Sequence, residues 1–216
     1  GGDSVTLQRG TAATVTGQLM DGSNGEEGTV QLISSSGEYY TVNTDSEGNF
    51  TVLVPSTGSY TVAANNGSNM AYIGSATING NTDLGEIDLD DGRRIGSTFR
   101  YENGISSTNP YLPFVLGIIE FTYNDVDYVL YGMTNTSGVV NFYIPDNIEA
   151  TISLNNTEGT LDNDAFHCTG LSRDVSSGTS NSTQTERIYI YDSENEDQTD
   201  YVKTQSVTAP YDMEIL

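Results

Sequence analysis

The chain has 216 residues, 30 of them acidic against 7 basic, for a formal net charge of -23. That length sets a soft prior of one or two domains, and the charge argues against nucleic acid or anionic lipid as partners, since both are held by Lys/Arg clusters. No apolar run approaches the roughly 20 residues that a membrane span needs, so attraction runs instead toward cations, salt or a basic partner.

Residues 1–10 form an N-terminal extension in which Val5 and Leu7 alternate with polar neighbours, as in a short strand. The opening Gly1-Gly2-Asp3-Ser4 does not read as a signal peptide and is expected to be the start of a processed chain. Seven short strands are then predicted at 13–20, 28–34, 38–44, 49–54, 59–64, 71–78 and 85–89. Phe50, Val52 and Val54 share one face of their strand, and Tyr60, Val62 and Ala64 do the same on the next. Gly22, Gly37, Gly48 and Gly58 punctuate the series, and no segment carries a helical period. Asp90-Asp91-Gly92-Arg93-Arg94 marks a boundary, and the strand 95–101 opens a second copy.

The copy is visible in the residues. The segment 39–55 recurs from Tyr128 through Thr134-Asn135-Thr136-Ser137-Gly138 to Ile144-Pro145, and 27–32 recurs as 116–121. Strand, glycine-closed turn, strand, proline and strand are thus written twice. Insertions separate the copies: 105–114 lengthens a loop, and 174–186 reads as a Ser/Thr/Gly-rich excursion before a strand at 188–191. Beyond it, Tyr211, Met213 and Ile215 share one face of a C-terminal extension. The predicted fold is all-β: two tandem seven-stranded Ig-like or transthyretin-like β-sandwich domains with extra terminal strands. The divisions fall at 1–10, 11–91, 92–195 and 196–216.

Val15-Thr16-Gly17-Gln18-Leu19, Gly28-Thr29-Val30-Gln31-Leu32, Thr44-Asp45-Ser46-Glu47-Gly48-Asn49-Phe50 and Gly58-Ser59-Tyr60-Thr61-Val62 together resemble the carboxypeptidase regulatory-like domain. This is a transthyretin-like (prealbumin-like) sandwich found in tandem on archaeal and bacterial surface proteins. The resemblance covers residues 12 to 90 well. It is looser over 93 to 192, where Asn135 replaces the turn aspartate and Val140 the turn phenylalanine. It implies a non-catalytic spacer, adhesion or assembly module with no catalytic residues to carry over.

The residues themselves point away from catalysis. His167 and Cys168 are the only histidine and cysteine, and neighbours on a strand point to opposite faces, so they form no dyad. Two candidates are too few for a zinc site, and one cysteine makes no intramolecular disulfide. The acidic residues suit calcium better, because that ion takes six to eight oxygen ligands. Asp192, Glu194, Glu196, Asp197 and Asp200 lie within nine residues, and Asp83, Glu86, Asp88, Asp90 and Asp91 form a second group. A solvated acidic loop is the plainer explanation of both, and no cofactor is required. Asn49, Asn66, Asn135, Asn155 and Asn181 open N-x-S/T glycan acceptor sequences. Fourteen tyrosines without a tryptophan, Tyr111 and Tyr123 among them, invite a binding-face reading beside the ordinary one of half-buried strand residues.

The expected role is therefore a structural subunit of an extracellular polymer (a pilus-like filament, sheath or surface layer) joined to identical subunits by strand addition. Val5, Leu7, Met213 and Ile215 are the candidates to fill a neighbour's groove. The alternative is a cell-surface module that binds glycans or proteins through the 105–114 or 174–186 loops. An accessory region of a larger secreted enzyme fits less well. If calcium is held, a chelator should lower the melting temperature; an unchanged melting curve would count against an ordered site.

Overall fold

A computed structural model describes residues 12–55, 57–101, 111, 113–154, 167–168, 172–188 and 190–191. Every regular element among them is a strand. The N-terminal half contains β1 (Ala13–Asp21), β2 (Asn24–Gly25), β3 (Thr29–Ser34), β4 (Tyr39–Asn43), β5 (Asn49–Val54), β6 (Gly58–Asn65), β7 (Met70–Ile78) and β8 (Thr82–Asp88). The C-terminal half contains β9 (Gly92–Tyr101), β10 (Leu116–Tyr123), β11 (Val126–Met133), β12 (Val139–Pro145), β13 (Ala150–Leu154), β14 (His167–Cys168), β15 (Ser172–Val175), β16 (Ser182–Ile188) and β17 (Ile190–Tyr191).

One wiring serves both halves. In the first, β5 and β8 flank β1, antiparallel and parallel respectively, while a second sheet runs β4-β3-β6-β7. In the other, β12 and β16 flank β9 in the same two senses, and the second sheet runs β11-β10-β13-β15. Each half buries its own apolar cluster. Val15, Leu19, Val30, Leu32, Phe50, Tyr60, Val62 and Ile78 centre one, and Ile95, Phe99, Ile119, Phe142, Ile144 and Ile152 the other. The period-two alternation of β5 and β12 dictates this, because every second side chain of a strand reaches the facing sheet.

One expectation needs correction. The 174–186 stretch is not a loop excursion: it holds the end of β15 and most of β16, which pairs in parallel with β9 from Ser182↔Ile95 to Ile188↔Tyr101. Its residues Thr183, Gln184 and Thr185 are exposed, so β16 is held by its backbone ladder and leaves no hydrophobic alternation to read. The boundary segment Asp90–Arg94 is bonded to both halves. Asp90 and Met70 exchange both backbone hydrogen bonds, at 2.8 and 3.0 Å. A side chain at Gly92 would come within 2.7 Å of Met70 and 2.8 Å of the Ile144 carbonyl. Arg93 is buried and donates to the Ile148 and Ser176 carbonyls, at 2.6 and 2.7 Å. The terminal extensions, with Val5, Leu7, Met213 and Ile215, lie outside the described residues.

The repeated turn explains why Asn135 can stand where the first copy has Asp45. Asp45 Oδ1 accepts from the backbone N–H groups of Glu47 and Asn49, and Asn135 Oδ1 accepts from those of Ser137 and Val139. Both turns close through glycines at positive φ, Gly48 (81°) and Gly138 (70°). An acceptor oxygen is what the turn requires, and either side chain supplies it.

Hydrogen bonds from the Asn49 backbone, then from the Asn49 side chain and the Glu47 N–H, hold the Asp45 carboxyl below its usual range against a smaller opposing effect of burial. A lowered folded-state value means stability that is fully present above the unfolded value, about 3.9, and lost as pH falls from there through the folded value. Asp45→Asn should therefore melt with less acid dependence than the wild type below about pH 4. Parallel acid profiles would show that the turn carboxylate contributes nothing.

Candidate functional site

The residue pattern of β3 leads to the site. A strand with one solvated face alternates, yet Val30, Gln31, Leu32 and Ile33 are all buried. Continuous burial means that both faces of the strand are covered. Val30 and Leu32 point into the N-terminal core, while Ile33, with Ala63 of β6, packs into the cluster of the C-terminal half. The outer face of β4-β3-β6-β7 is therefore the seat on which the second half rests.

What rests there is a sheet edge. Gln31 Nε2 donates to the Tyr131 carbonyl at 2.9 Å, and the Tyr131 N–H donates to Gln31 Oε1 at 3.0 Å. A carboxamide thus takes the place of a neighbouring strand and satisfies the backbone groups that β11 turns outward. Gln31 Nε2 also donates to Thr41 Oγ1 at 3.1 Å, which fixes the amide orientation. Beside it, the Tyr72 hydroxyl donates to the Tyr143 carbonyl on the edge of β12. The Tyr72 ring meets Tyr128 at 4.9 Å and Phe121 at 5.3 Å, both edge-on, with Tyr123 at 6.2 Å. Tyr39 stacks on Tyr131 at 4.5 Å with the rings 9° apart. Such ring pairs contribute about 0.5–1.5 kcal/mol each beyond area burial.

Burial, with Tyr128 adding to it, pushes the Tyr72 hydroxyl far above the ordinary phenol range, so it stays a neutral donor. A groove of about 430 Å³ runs along this joint, lined by Thr29, Tyr39, Asn65, Tyr131, Met133 and Asn141 among others, none of them charged.

A wider, shallow depression lies on the corresponding outer face of β11-β10-β13-β15 and carries Glu120, Asp127, Glu149 and Asp174. Asp127 accepts from Thr122 at 2.7 Å, and Asp174 from Thr151 at 3.3 Å. Among the described residues no group of three acids, histidines or cysteines is placed to hold a metal ion. Asp83, Glu86, Asp88, Asp90 and Asp91 are exposed and not gathered in that way, whereas Asp192, Glu194, Glu196, Asp197 and Asp200 lie outside the described residues.

Of the acceptor asparagines, Asn49, Asn135 and Asn181 are exposed and Asn66 is half-buried, while Asn155 lies outside the described residues. Asn66 and Asn181 use their Oδ1 atoms on backbone N–H groups, of Ser68 and Asn69 and of Arg94 respectively. The β14 and β17 backbones pair at His167↔Tyr191 and Cys168↔Ile190. Tyr123 packs against the second core and Tyr111 is 37% exposed. Sequence reasoning missed Gln31 and Tyr72, although Ile33 on an otherwise polar strand face was a signal for the joint.

The sequence matches no protein-family model and no curated protein. Loose structural likeness extends to several bacterial proteins. The Bacillus anthracis TIE protein is 12% identical with a TM-score of 0.33, the match covering 84% of this chain and 34% of that one. A DUF3823-family protein from Parabacteroides merdae is 11% identical with a TM-score of 0.32, covering 66% and 90%. The minor pilin GBS52 of Streptococcus agalactiae is 11% identical with a TM-score of 0.29, covering 82% and 95%. This chain thus spans about a third of the first of these. Likeness of this kind assigns no function.

Gln31→Ala leaves the Tyr131 N–H and C=O without their partner and should cost roughly 1–3 kcal/mol in denaturant unfolding. A loss within a few tenths would mean the amide bond is replaced by water at no cost. A raised hydroxyl value works in the alkaline direction: the stability it brings is complete below the unfolded value, about 10, and declines as pH rises past it. Tyr72→Phe should flatten the fall in melting temperature above about pH 10.

Proposed function

We propose that this chain is a non-catalytic structural subunit of an extracellular polymer. In this reading residues 11–91 and 92–195 are tandem seven-stranded sandwich domains, and the segments 1–10 and 196–216 supply strands that join identical subunits. The observation that carries it is an asymmetry of edges. The edges of β11 and β12 are sealed within the chain by Gln31 and Tyr72. Among the described residues their counterparts in the N-terminal half, β4 and β5, carry no such seal.

Backbone geometry supports these edges as acceptors. Asn49 turns its N–H and C=O toward Asp45, away from β1, so alternation along an antiparallel pair turns Thr51 and Leu53 the same way. Leu53 is 62% exposed. Natural sheets guard an edge with charge, proline or a bulge. β8 has all but the proline: Asp83, Glu86, Asp88 and a register shift opposite Thr16–Gln18. β4 and β5 have no charge, no proline and an unbroken register. In a chain with 17% charged residues, an unguarded edge on this scale fits a strand that arrives from elsewhere. Because donor and acceptor differ, such a contact is heterologous and propagates as a fibre.

Glycans on Asn49, Asn66, Asn135, Asn155 and Asn181, and calcium on the acidic segment 192–200, belong to this reading as surface features. A second reading, an adhesion module, is favoured by the uncharged groove beside Tyr39 and Tyr131, where a neutral glycan or peptide would fit.

Electron microscopy of the purified chain should show filaments, and removing residues 1–10 or 212–216 should abolish them while the melting transition persists. Leu53→Lys should do the same from the acceptor side. Dispersed particles under all conditions, or filaments that survive every change, would overturn the proposal.

A further inference from the structure

We infer that the groove along the joint binds a neutral glycan, held by the outward backbone groups of Met133 and Asn141, the side-chain amides of Asn65 and Asn141, and the Tyr39 ring. The inference deepens the adhesion reading and rests on it for the choice of groove; it holds whether or not the chain polymerises.

The groove is a corner. Thr29, Thr41 and Asn65 on the outer face of β4-β3-β6 form its floor, and Tyr131, Met133, Asn141 and Tyr143 on β11 and β12 form its wall. Its volume of about 430 Å³ falls within the roughly 300–1,000 Å³ of small-ligand clefts.

The seal on this wall stops short of two residues. Tyr131 turns both backbone groups outward to Gln31, so alternation turns those of Met133 the same way. On β12 the outward residues are Val139, Asn141 and Tyr143. Asn135 bonds both backbone groups of Val139, and Tyr72 bonds the Tyr143 carbonyl. Among the described residues nothing bonds the outward N–H and C=O of Met133 and Asn141. Side chains add donors. Asn65 Oδ1 accepts from the Gly67 N–H at 3.2 Å and Asn141 Oδ1 from Arg94 at 2.9 Å, which leaves each Nδ2 to donate. Thr41 accepts from Gln31 and keeps its own O–H.

A peptide strand needs a run of alternate residues with free backbone groups. One residue on each of two strands is no such run, so a ladder cannot form here. Separate donors and acceptors converging from two strands and two amides suit the hydroxyls of a sugar, which leave one ring in several directions. Tyr39, stacked on Tyr131 and 36% exposed, offers its other face to the partly positive C–H groups of that ring. The lining is uncharged and the chain carries a net charge of -23, so sulfated or uronate sugars are repelled.

Calorimetric titration of the full chain with neutral trisaccharides of glucose, mannose, galactose and N-acetylglucosamine tests the inference. At least one should bind with a dissociation constant below about 1 mM, and trigalacturonate or an uncharged Ser/Thr-rich pentapeptide should bind more weakly. With that sugar present, hydrogen exchange should slow at the Met133 and Asn141 amides and stay unchanged at Thr51 and Leu53. Asn65→Asp with Asn141→Asp keeps the oxygens that bond Gly67 and Arg94 but removes both donors, and should lower the affinity at least about tenfold in a folded chain. Tyr39→Ala, which keeps both asparagines, should weaken it as well.

No neutral sugar bound below that limit, exchange at Met133 and Asn141 unmoved by the bound sugar, trigalacturonate or the peptide bound as tightly, or affinity untouched by both variants would overturn the inference. Sugar bound in solution by a chain that retains no cells displaying it would bring down the adhesion reading alone. Cells retained equally by the wild type and the double variant would bring down the inference alone.

Discussion

The arrangement depends on a single side-chain amide. Gln31 bonds both backbone groups of Tyr131 and so substitutes for a strand at the edge of β11. Had that edge been left open, the C-terminal half would expose a row of unpaired donors and acceptors, and the halves would be free to swing. The amide closes the edge with a group from the other half, so one contact both satisfies the backbone and sets the angle between the sheets. Tyr72 does the same for β12 while its ring joins the aromatic cluster of Phe121, Tyr123 and Tyr128. Rigid attachment of two similar bodies follows from the bonds of Gln31 and Tyr72 together with the apolar contacts of Ile33 and Ala63.

Among the described residues only one copy has these edges sealed, which makes the duplicated fold polarised. The edges of β11 and β12 face the N-terminal half and are sealed by it, whereas among the described residues β4 and β5 carry no such seal. Duplication supplies the geometry, and the positions equivalent to Gln31 and Tyr72 are Ile118 and Ser172, so the second copy does not repeat the donors of the joint.

Much of the fold was legible because period-two patterning survives wherever a strand has one wet face. The strands of the N-terminal half, with Phe50, Val54, Tyr60 and Val62 inward, follow from alternation and from turn glycines such as Gly48. β16 was not legible, since its exposed Thr183, Gln184 and Thr185 leave no apolar alternation to read. The joint was half legible: Ile33 and Ala63 break the polar face of their strands, yet a buried glutamine looks in sequence like any surface glutamine. Its partner is a backbone one hundred residues away, and no local pattern encodes that distance.

Hydrogen exchange at single backbone amides tests the central claim most directly. On a sheet edge open to water, outward N–H groups exchange fast, while those bonded within the fold exchange slowly. The Tyr131 amide, though on an edge strand, should be slow, and should become fast in Gln31→Ala; the Thr51 and Leu53 amides should be fast in the unassembled chain. A Tyr131 amide exchanging as quickly as that of Leu53 would contradict the account, because the joint would then not be sealed.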